Sequence, residues 1–265
     1  MKHVVFTACD EANLKYARKF LKSFQYFHPD IDLVLFTNAK VEDIKGVRIL
    51  PITSKDPDIW YKQKPHFADI LFREGYDSVL GADSDQIVLG NLDYLFNTTG
   101  YDVGTVLNFN PLDFRTYGEI SIQGVHFATE YYNAGLVMMR SHKFVKHWLA
   151  LCNSKYFKRF KYREQDLLNI MCHFGEYQVK CYDDADDQTP YFAWHGLLGS
   201  RKTLDMILVG KDIVIPQSED GFPSRDVLYK VYHAGQGQTS EDKLNYRLLF
   251  PESIITRIDE ILGVI

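Results

Sequence analysis

The chain has 265 residues, 46% hydrophobic and 25% charged, the balance of an ordinary globular protein with length enough for one sizeable core. A formal net charge of −5 does not favour nonspecific nucleic-acid binding, so any substrate phosphate needs a local cation. The four cysteines, Cys9, Cys152, Cys172 and Cys181, show no C-x-x-C spacing, which argues against zinc and a disulfide framework and for a reducing compartment.

The N-terminal stretch MKHVVFTACDEAN lacks a long apolar segment, and no run approaches the roughly 18 apolar residues of a membrane span. The expected location is cytoplasmic, with peripheral membrane contact left open.

Val4 to Ala8 is an apolar, β-branched run that reads as a strand. Leu14, Ala17, Phe20, Leu21, Phe24 and Phe27 recur at helical spacing before Pro29 closes the segment. Strands follow at Ile31 to Thr37 and Val47 to Ile52, so the first helix crosses over between parallel strands and the class is α/β. The loop from Thr7 to Asp10 then lies on the ligand edge of the sheet. No G-x-G-x-x-G follows the first strand and no Walker loop is present, which demotes dinucleotide-dependent oxidoreductases and P-loop kinases.

Lys64-Pro65 opens a helix with Phe67, Ile70 and Leu71 on its core side, ended by Gly75. Taken alone, Lys64 reads as solvated, with contact to a diphosphate as the alternative.

The stretch Tyr76 to Gly90, YDSVLGADSDQIVLG, organises the rest. A short apolar strand ends in Asp83, Ser84 and Asp85, and a second apolar run follows at once. Two carboxylates at i and i+2 beside buried strands are costly unless compensated, and a hard divalent cation at about 2.0 to 2.1 Å is the simplest compensation. A solvated turn is the competing reading.

Leu92, Leu95 and Phe96 mark a short helix and Val103 to Leu107 a strand. The polar stretch Asn108 to Thr129 reads as a lid or binding loop. Tyr131 to Arg140 places Asn133, Ala134 and Gly135 before a buried strand, small residues that allow close approach of a ligand. Ser141 caps the next helix.

Lys155, Lys158, Arg159, Lys161 and Arg163 alternate with aromatic residues. They read as a solvated loop first, and as a contact for anionic lipid or a phosphorylated acceptor second. Glu164, Gln165 and Asp166 crowd the first turn of a further helix, more acceptors than capping needs. Asp183 to Asp187 reads as a solvated bend. Phe192 to Gly196 contains Trp194 and His195, a weak acceptor-site candidate. Val231 to Gly235 is a strand delivering His233 into a glycine turn. The segment 252–262 is an amphipathic helix that packs back on the domain or forms a homodimer contact.

In this order, the Thr-Ala strand end, the Lys-Pro helix, Asp-Ser-Asp, Tyr-Asn-Ala-Gly-Leu-Val-Met-Met and Glu-Gln-Asp-Leu-Leu-Asn resemble the GT-A nucleotide-sugar glycosyltransferases. The resemblance is to the retaining branch that includes glycogenin and lipopolysaccharide galactosyltransferases. It implies one GT-A domain over residues 1–265, a mixed, mainly parallel sheet flanked by helices.

It also implies that Asp83, Asp85 and His233 hold Mn²⁺ or Mg²⁺ on the diphosphate of a nucleoside diphosphate sugar, with a UDP-sugar favoured. Thr7, Ala8, Cys9 and Asp10 would line the base pocket, with Ser84 near the ribose and Lys64 facing the phosphates or sugar. Asn133, Ala134 and Gly135 would flank the sugar, Gly235 the cofactor-side turn, and Gln165 and Asp166, with Glu164, the reacting carbon. The partner would be a glycan or glycoprotein acceptor. The chain departs from the family at Glu164, often Asp there, and at Gln236 to Thr239, which replaces a basic and aromatic continuation. A sugar-nucleotide nucleotidyltransferase and a non-catalytic sugar-nucleotide-binding module are the alternatives.

Overall fold

The computed structural model describes residues 1–42, 44–107, 119–122, 125–128, 131–160, 162–182, 193–195, 206–216, 227–233, 246–248 and 250–264. Its first half runs β1 (His3–Cys9), α1 (Leu14–Phe27), β2 (Asp32–Thr37), β3 (Val47–Pro51), α2 (Gln63–Arg73), β4 (Ser78–Ala82), β5 (Gln86–Val88), α3 (Asp93–Asn97) and β6 (Val103–Leu107). Then come β7 (Glu119–Ile122), β8 (Val125–Ala128), β9 (Tyr132–Met139), α4 (His142–Cys152), α5 (Glu164–Phe174) and β10 (Val179–Cys181). The remaining elements are β11 (Ala193–His195), β12 (Ile207–Val209), β13 (Asp212–Ile215), β14 (Val227–Leu228), β15 (Val231–His233) and a last helix, α6 (Glu252–Leu262).

A seven-stranded sheet in the order β10-β6-β9-β4-β1-β2-β3 forms the centre. Strands β1, β2, β3 and β4 pair in parallel, and β9 runs antiparallel to both β4 and β6. The mainly parallel, mixed α/β sheet is the one expected. Period-two alternation sorts β1 between two cores: Val4, Phe6 and Ala8 face α2, α4 and α5, while Val5 and Cys9 face α1 and α3. Helix α4 starts as its sequence asks, with the Ser141 hydroxyl accepting the N–H of Phe144 at 3.2 Å.

A smaller sheet, β11-β15-β5, stands beside the first. Strand β5 begins one residue after Asp85, and β15 pairs antiparallel with it so that His233 lies opposite Gln86. This non-local pairing brings the two ends of the site together. Helix α6 matches its expected bounds and buries Ile254, Ile258 and Ile261 in a third core with Tyr16, Ile87 and Tyr232, so it packs back on the domain. Part of the stretch expected as a lid or binding loop forms a hairpin: β7 and β8 pair with Ile120 opposite Phe127. The rest of that stretch, the acidic segment 183–187 and Gly235 lie outside the described residues.

Candidate metal and donor site

Strand β4 is buried throughout, and the chain leaves the sheet at Asp83, whose N–H donates to the Gly135 carbonyl at 2.8 Å. The turn aims both carboxylates at β15. Nε2 of His233 stands 3.2 Å from Oδ1 of Asp85 and 3.5 Å from Oδ2 of Asp83. One ligand atom from each of these residues falls within 4.8 Å of the others. Gly135 makes room for this: a Cβ there would lie 2.5 Å from Cε1 of His233 and 2.6 Å from Oδ1 of Asn133. Gln86, fully buried, fixes the same glycine by donating from Nε2 to its carbonyl at 2.9 Å.

Charge in this cluster is tightly compensated. Burial opposes ionisation of Asp83, but the Lys64 ammonium and the His233 imidazole outweigh it and hold the carboxyl well below the usual range. Burial also opposes protonation of His233, and the Asp85 and Asp83 carboxylates overcome it, raising the imidazole to about 9. Lys64 is only 2% exposed and pairs with Oδ1 of Asp83, so the reading of it as solvated is corrected. A lysine is buried there because a carboxylate meets it. Two carboxylates and an imidazole form a donor set that fits Mn²⁺, and Mg²⁺ through the carboxylates. A cation entering would displace the proton of His233.

The first turn of α5 forms the facing wall. Oε1 of Gln165 accepts the N–H of Ala134 at 2.9 Å. Asp166 is buried with both oxygens engaged, Oδ1 by the Tyr131 hydroxyl at 2.6 Å and Oδ2 by the N–H of Tyr162 at 2.7 Å. Glu164 differs: among the described residues, the hydrogen bond acting on its carboxyl comes from its own N–H. Burial raises that carboxyl to about 8, against the opposing pull of Lys64. Asn169, which the sequence reading gave no role, clamps the wall to β9. Its Oδ1 accepts the N–H of Tyr132 at 2.7 Å and its Nδ2 donates to the Tyr132 carbonyl at 2.8 Å. Its signal was positional, four residues after Gln165 on the same helix face.

Immediately before this turn, Arg163 has φ 49° and ψ −111°. That is the first central position of a type II′ turn, where glycine dominates, and a side chain held there costs about 1–3 kcal/mol.

The other expected residues are distributed as follows. Thr7 is fully buried, and its hydroxyl has no partner among the described residues. Ala8 and Cys9 are buried, and burial pushes the Cys9 thiol up to about 11. Oδ1 of Asp10 accepts the backbone N–H of Asn13 at 3.0 Å and its Nδ2 at 2.7 Å, shaping the entry to α1. Ser84 is half-buried between the two aspartates. Trp194 and His195 lie on β11, in register with Tyr232 and His233 of β15.

No protein-family model and no curated protein matches the sequence. Among solved structures, the galactosyltransferase LgtC in complex with donor and acceptor sugar analogs matches with a TM-score of 0.57, at 17% identity, over 99% of this chain and 96% of its own. The fold is GT-A. An active-site mutant of LgtC in which glutamine is replaced by glutamate matches at a TM-score of 0.59 and 16% identity, over 98% of this chain and 95% of its own. The GT-A likeness spans nearly the whole chain, as the order of motifs anticipated.

Proposed function

We propose that the protein is a metal-dependent glycosyltransferase that moves a hexose, with retention, from a nucleoside diphosphate sugar to a hydroxyl of a glycan or glycoprotein, a UDP-sugar being the favoured donor. The observation that carries this reading is the convergence of Asp83, Asp85 and His233 at the end of β4, beside a buried lysine, in a GT-A fold. Mn²⁺ or Mg²⁺ held by these three would supply Lewis-acid neutralisation of the departing diphosphate.

The chain's own groups do the rest. Lys64, paired here with Asp83, would offer its ammonium to the diphosphate oxygens of a bound donor. Thr7 to Asp10 line the base pocket, the Thr7 hydroxyl, unpartnered among the described residues, being free to bond a polar atom of the base, and Ser84 lies by the ribose. Asn133, Ala134 and Gly135 flank the hexose. Gln165, fixed against the N–H of Ala134, presents its amide to the anomeric carbon as positive charge develops there. LgtC has an active-site glutamine, in keeping with this assignment. Asp166 acts as a positioning residue for the wall, since Tyr131 and Tyr162 occupy its oxygens. Glu164 is the carboxyl left to face substrate.

The test is release of nucleoside diphosphate from a panel of UDP- and GDP-sugars, with Mn²⁺ against EDTA. Metal-dependent release from one donor supports the reading and names the donor. Absence of both release and metal-dependent nucleotide binding would overturn it.

A further inference from the structure

Beside the α5 wall lies a face that the proposed donor chemistry does not use. Tyr61 and Tyr156 are 50% and 45% exposed. Nζ of Lys155 and the guanidinium of Arg159 each lie 5.3 Å from the Tyr156 ring centroid, and neither meets a carboxylate among the described residues. The Arg163 guanidinium stands 4.0 Å from the Tyr61 ring centroid. Asp58 takes Nη1 of Arg163 at 2.9 Å and Nζ of Lys158 at 3.1 Å. Among the described residues, a chain of net charge −5 thus gathers Lys155, Lys158, Arg159 and Arg163 around Asp58, while the neighbouring Asp56, which also acts on Lys158, is taken up by Lys62.

Arg163 singles this face out from a solvated loop. Its backbone occupies a conformation suited to glycine, yet the position carries the longest basic side chain, flattened on a tyrosine and gripped at one nitrogen by Asp58. Strain of this kind persists where the surroundings enforce it, and it gathers at functional sites. The remaining N–H groups of the guanidinium form a fixed fork for an anion. The face also adjoins the donor site at two points: Tyr61 precedes Lys64 by one short turn, and Arg163 leads directly into Glu164.

We propose that this face is the acceptor subsite and that the acceptor is an anionic saccharide, a sugar bearing phosphate, sulfate or carboxylate. Tyr61 and Tyr156 meet the apolar faces of the sugar rings, and Arg159 and Arg163 take the anion. The inference rests on the glycosyltransferase reading for the word acceptor, and on the face itself for the class of ligand.

The experiment titrates glucose, glucose 6-phosphate, glucuronic acid and inorganic phosphate into the full chain, with and without UDP and Mn²⁺, followed by ligand-observed NMR. At least one anionic sugar is expected to bind 10-fold or more tightly than both glucose and inorganic phosphate. Arg159→Gln and Arg163→Gly should each cut that preference to under 3-fold. Arg163→Gly suits the backbone, so its thermal unfolding reports whether the loop survives. Lys45→Gln, which removes an exposed charge elsewhere, should leave the preference intact.

Equal binding of glucose and both anionic sugars, or of inorganic phosphate and glucose 6-phosphate, would overturn the proposal, as would a preference that survives both arginine variants. Arginine-dependent binding to phosphatidylglycerol vesicles without any anionic-sugar preference would make the face a membrane contact and overturn it too. A chain that keeps the preference but releases no nucleoside diphosphate from any donor would retire the activity reading while upholding the anionic-saccharide site.

Discussion

Asp83, Asp85 and His233 crowd like and opposite charges into one corner, with ligand atoms within 4.8 Å. Glu164, Gln165 and Asp166 face them from a single helical turn, and there most polar atoms already have partners: Gln165 holds β9, and Asp166 holds Tyr131 and Tyr162. The first region is compensated by charges that a cation can replace. The second is compensated by neutral hydrogen bonds that nothing replaces. Acidic residues two apart in sequence can therefore serve opposite ends, ligation in one region and fixation in the other, and the difference lies in what surrounds them rather than in their type.

The largest effect expected from this contrast falls on the charged corner. Asp85→Asn removes one carboxylate of the proposed metal site and should lower metal-dependent nucleoside diphosphate release by more than the roughly 10–100-fold that losing an outer-shell partner costs. The thermal shift induced by Mn²⁺ should vanish while the fold persists. A variant that keeps its Mn²⁺-dependent shift would remove Asp85 from the site.

On the facing wall the expected sign is reversed. Asp166→Asn removes the charge that strengthens the bonds from the Tyr131 hydroxyl and the Tyr162 N–H and replaces one acceptor oxygen by an N–H₂, and should cost about 1–3 kcal/mol of stability by urea denaturation. Glu164→Gln removes a carboxyl that burial already disfavours when charged, and should leave the urea midpoint unchanged or raised while slowing transfer. Equal destabilisation by the two variants would erase the distinction drawn between these acids.

Much of this was readable in the chain. The continuous apolar, β-branched run Val4 to Ala8 marks the first strand, buried on both faces, and the helical spacing of Leu14 to Phe27 marks the helix over it, because local pattern reports the faces an element buries. The Asp83 and Asp85 pair was visible by its position after a buried strand. Lys64 was misread as solvated because its burial depends on Asp83, a contact that composition cannot register. The hairpin at Glu119–Ile122 and Val125–Ala128 is not legible in the sequence because its strands are only four residues each. Residues alone left His233 ambiguous: β15 and β5 are three residues each, and their pairing is tertiary. Arg163 is visible as the end of a basic and aromatic run, but its positive φ carries no sequence signal, since a strained backbone is invisible in residue type.

Gly135→Ala probes the crowded corner without replacing any of the three residues of the candidate metal site. The new Cβ would meet the His233 ring at 2.5 Å, so the imidazole must shift. Mn²⁺ affinity should fall about 10-fold, comparable with loss of an outer-shell partner, and stability by about 1–3 kcal/mol through overpacking. Isothermal titration and urea denaturation separate the two. Unchanged Mn²⁺ affinity would mean that His233 is not held against this glycine in the working protein.

The smallest effect sharpens the contrast through a second buried histidine. His233 sits between carboxylates and is raised, whereas His28 is lowered, chiefly by burial, although Asp93 pulls the other way. Nε2 of His28 accepts the N–H of Leu92 at 2.9 Å, a bond only the unprotonated nitrogen can make. A histidine whose folded pKa is depressed binds protons more readily in the unfolded chain. Its stabilising contribution is therefore complete above the unfolded value near 6.5 and drains away as pH falls below it. Stability should decline by up to about 1.4 kcal/mol per pH unit in that window from this one group. His28→Gln, whose amide oxygen can still accept from Leu92, should flatten that slope between pH 6.5 and 5.5. An identical slope in the variant would show that the fold does not depress the His28 pKa, and that the two buried histidines are not set apart in this way.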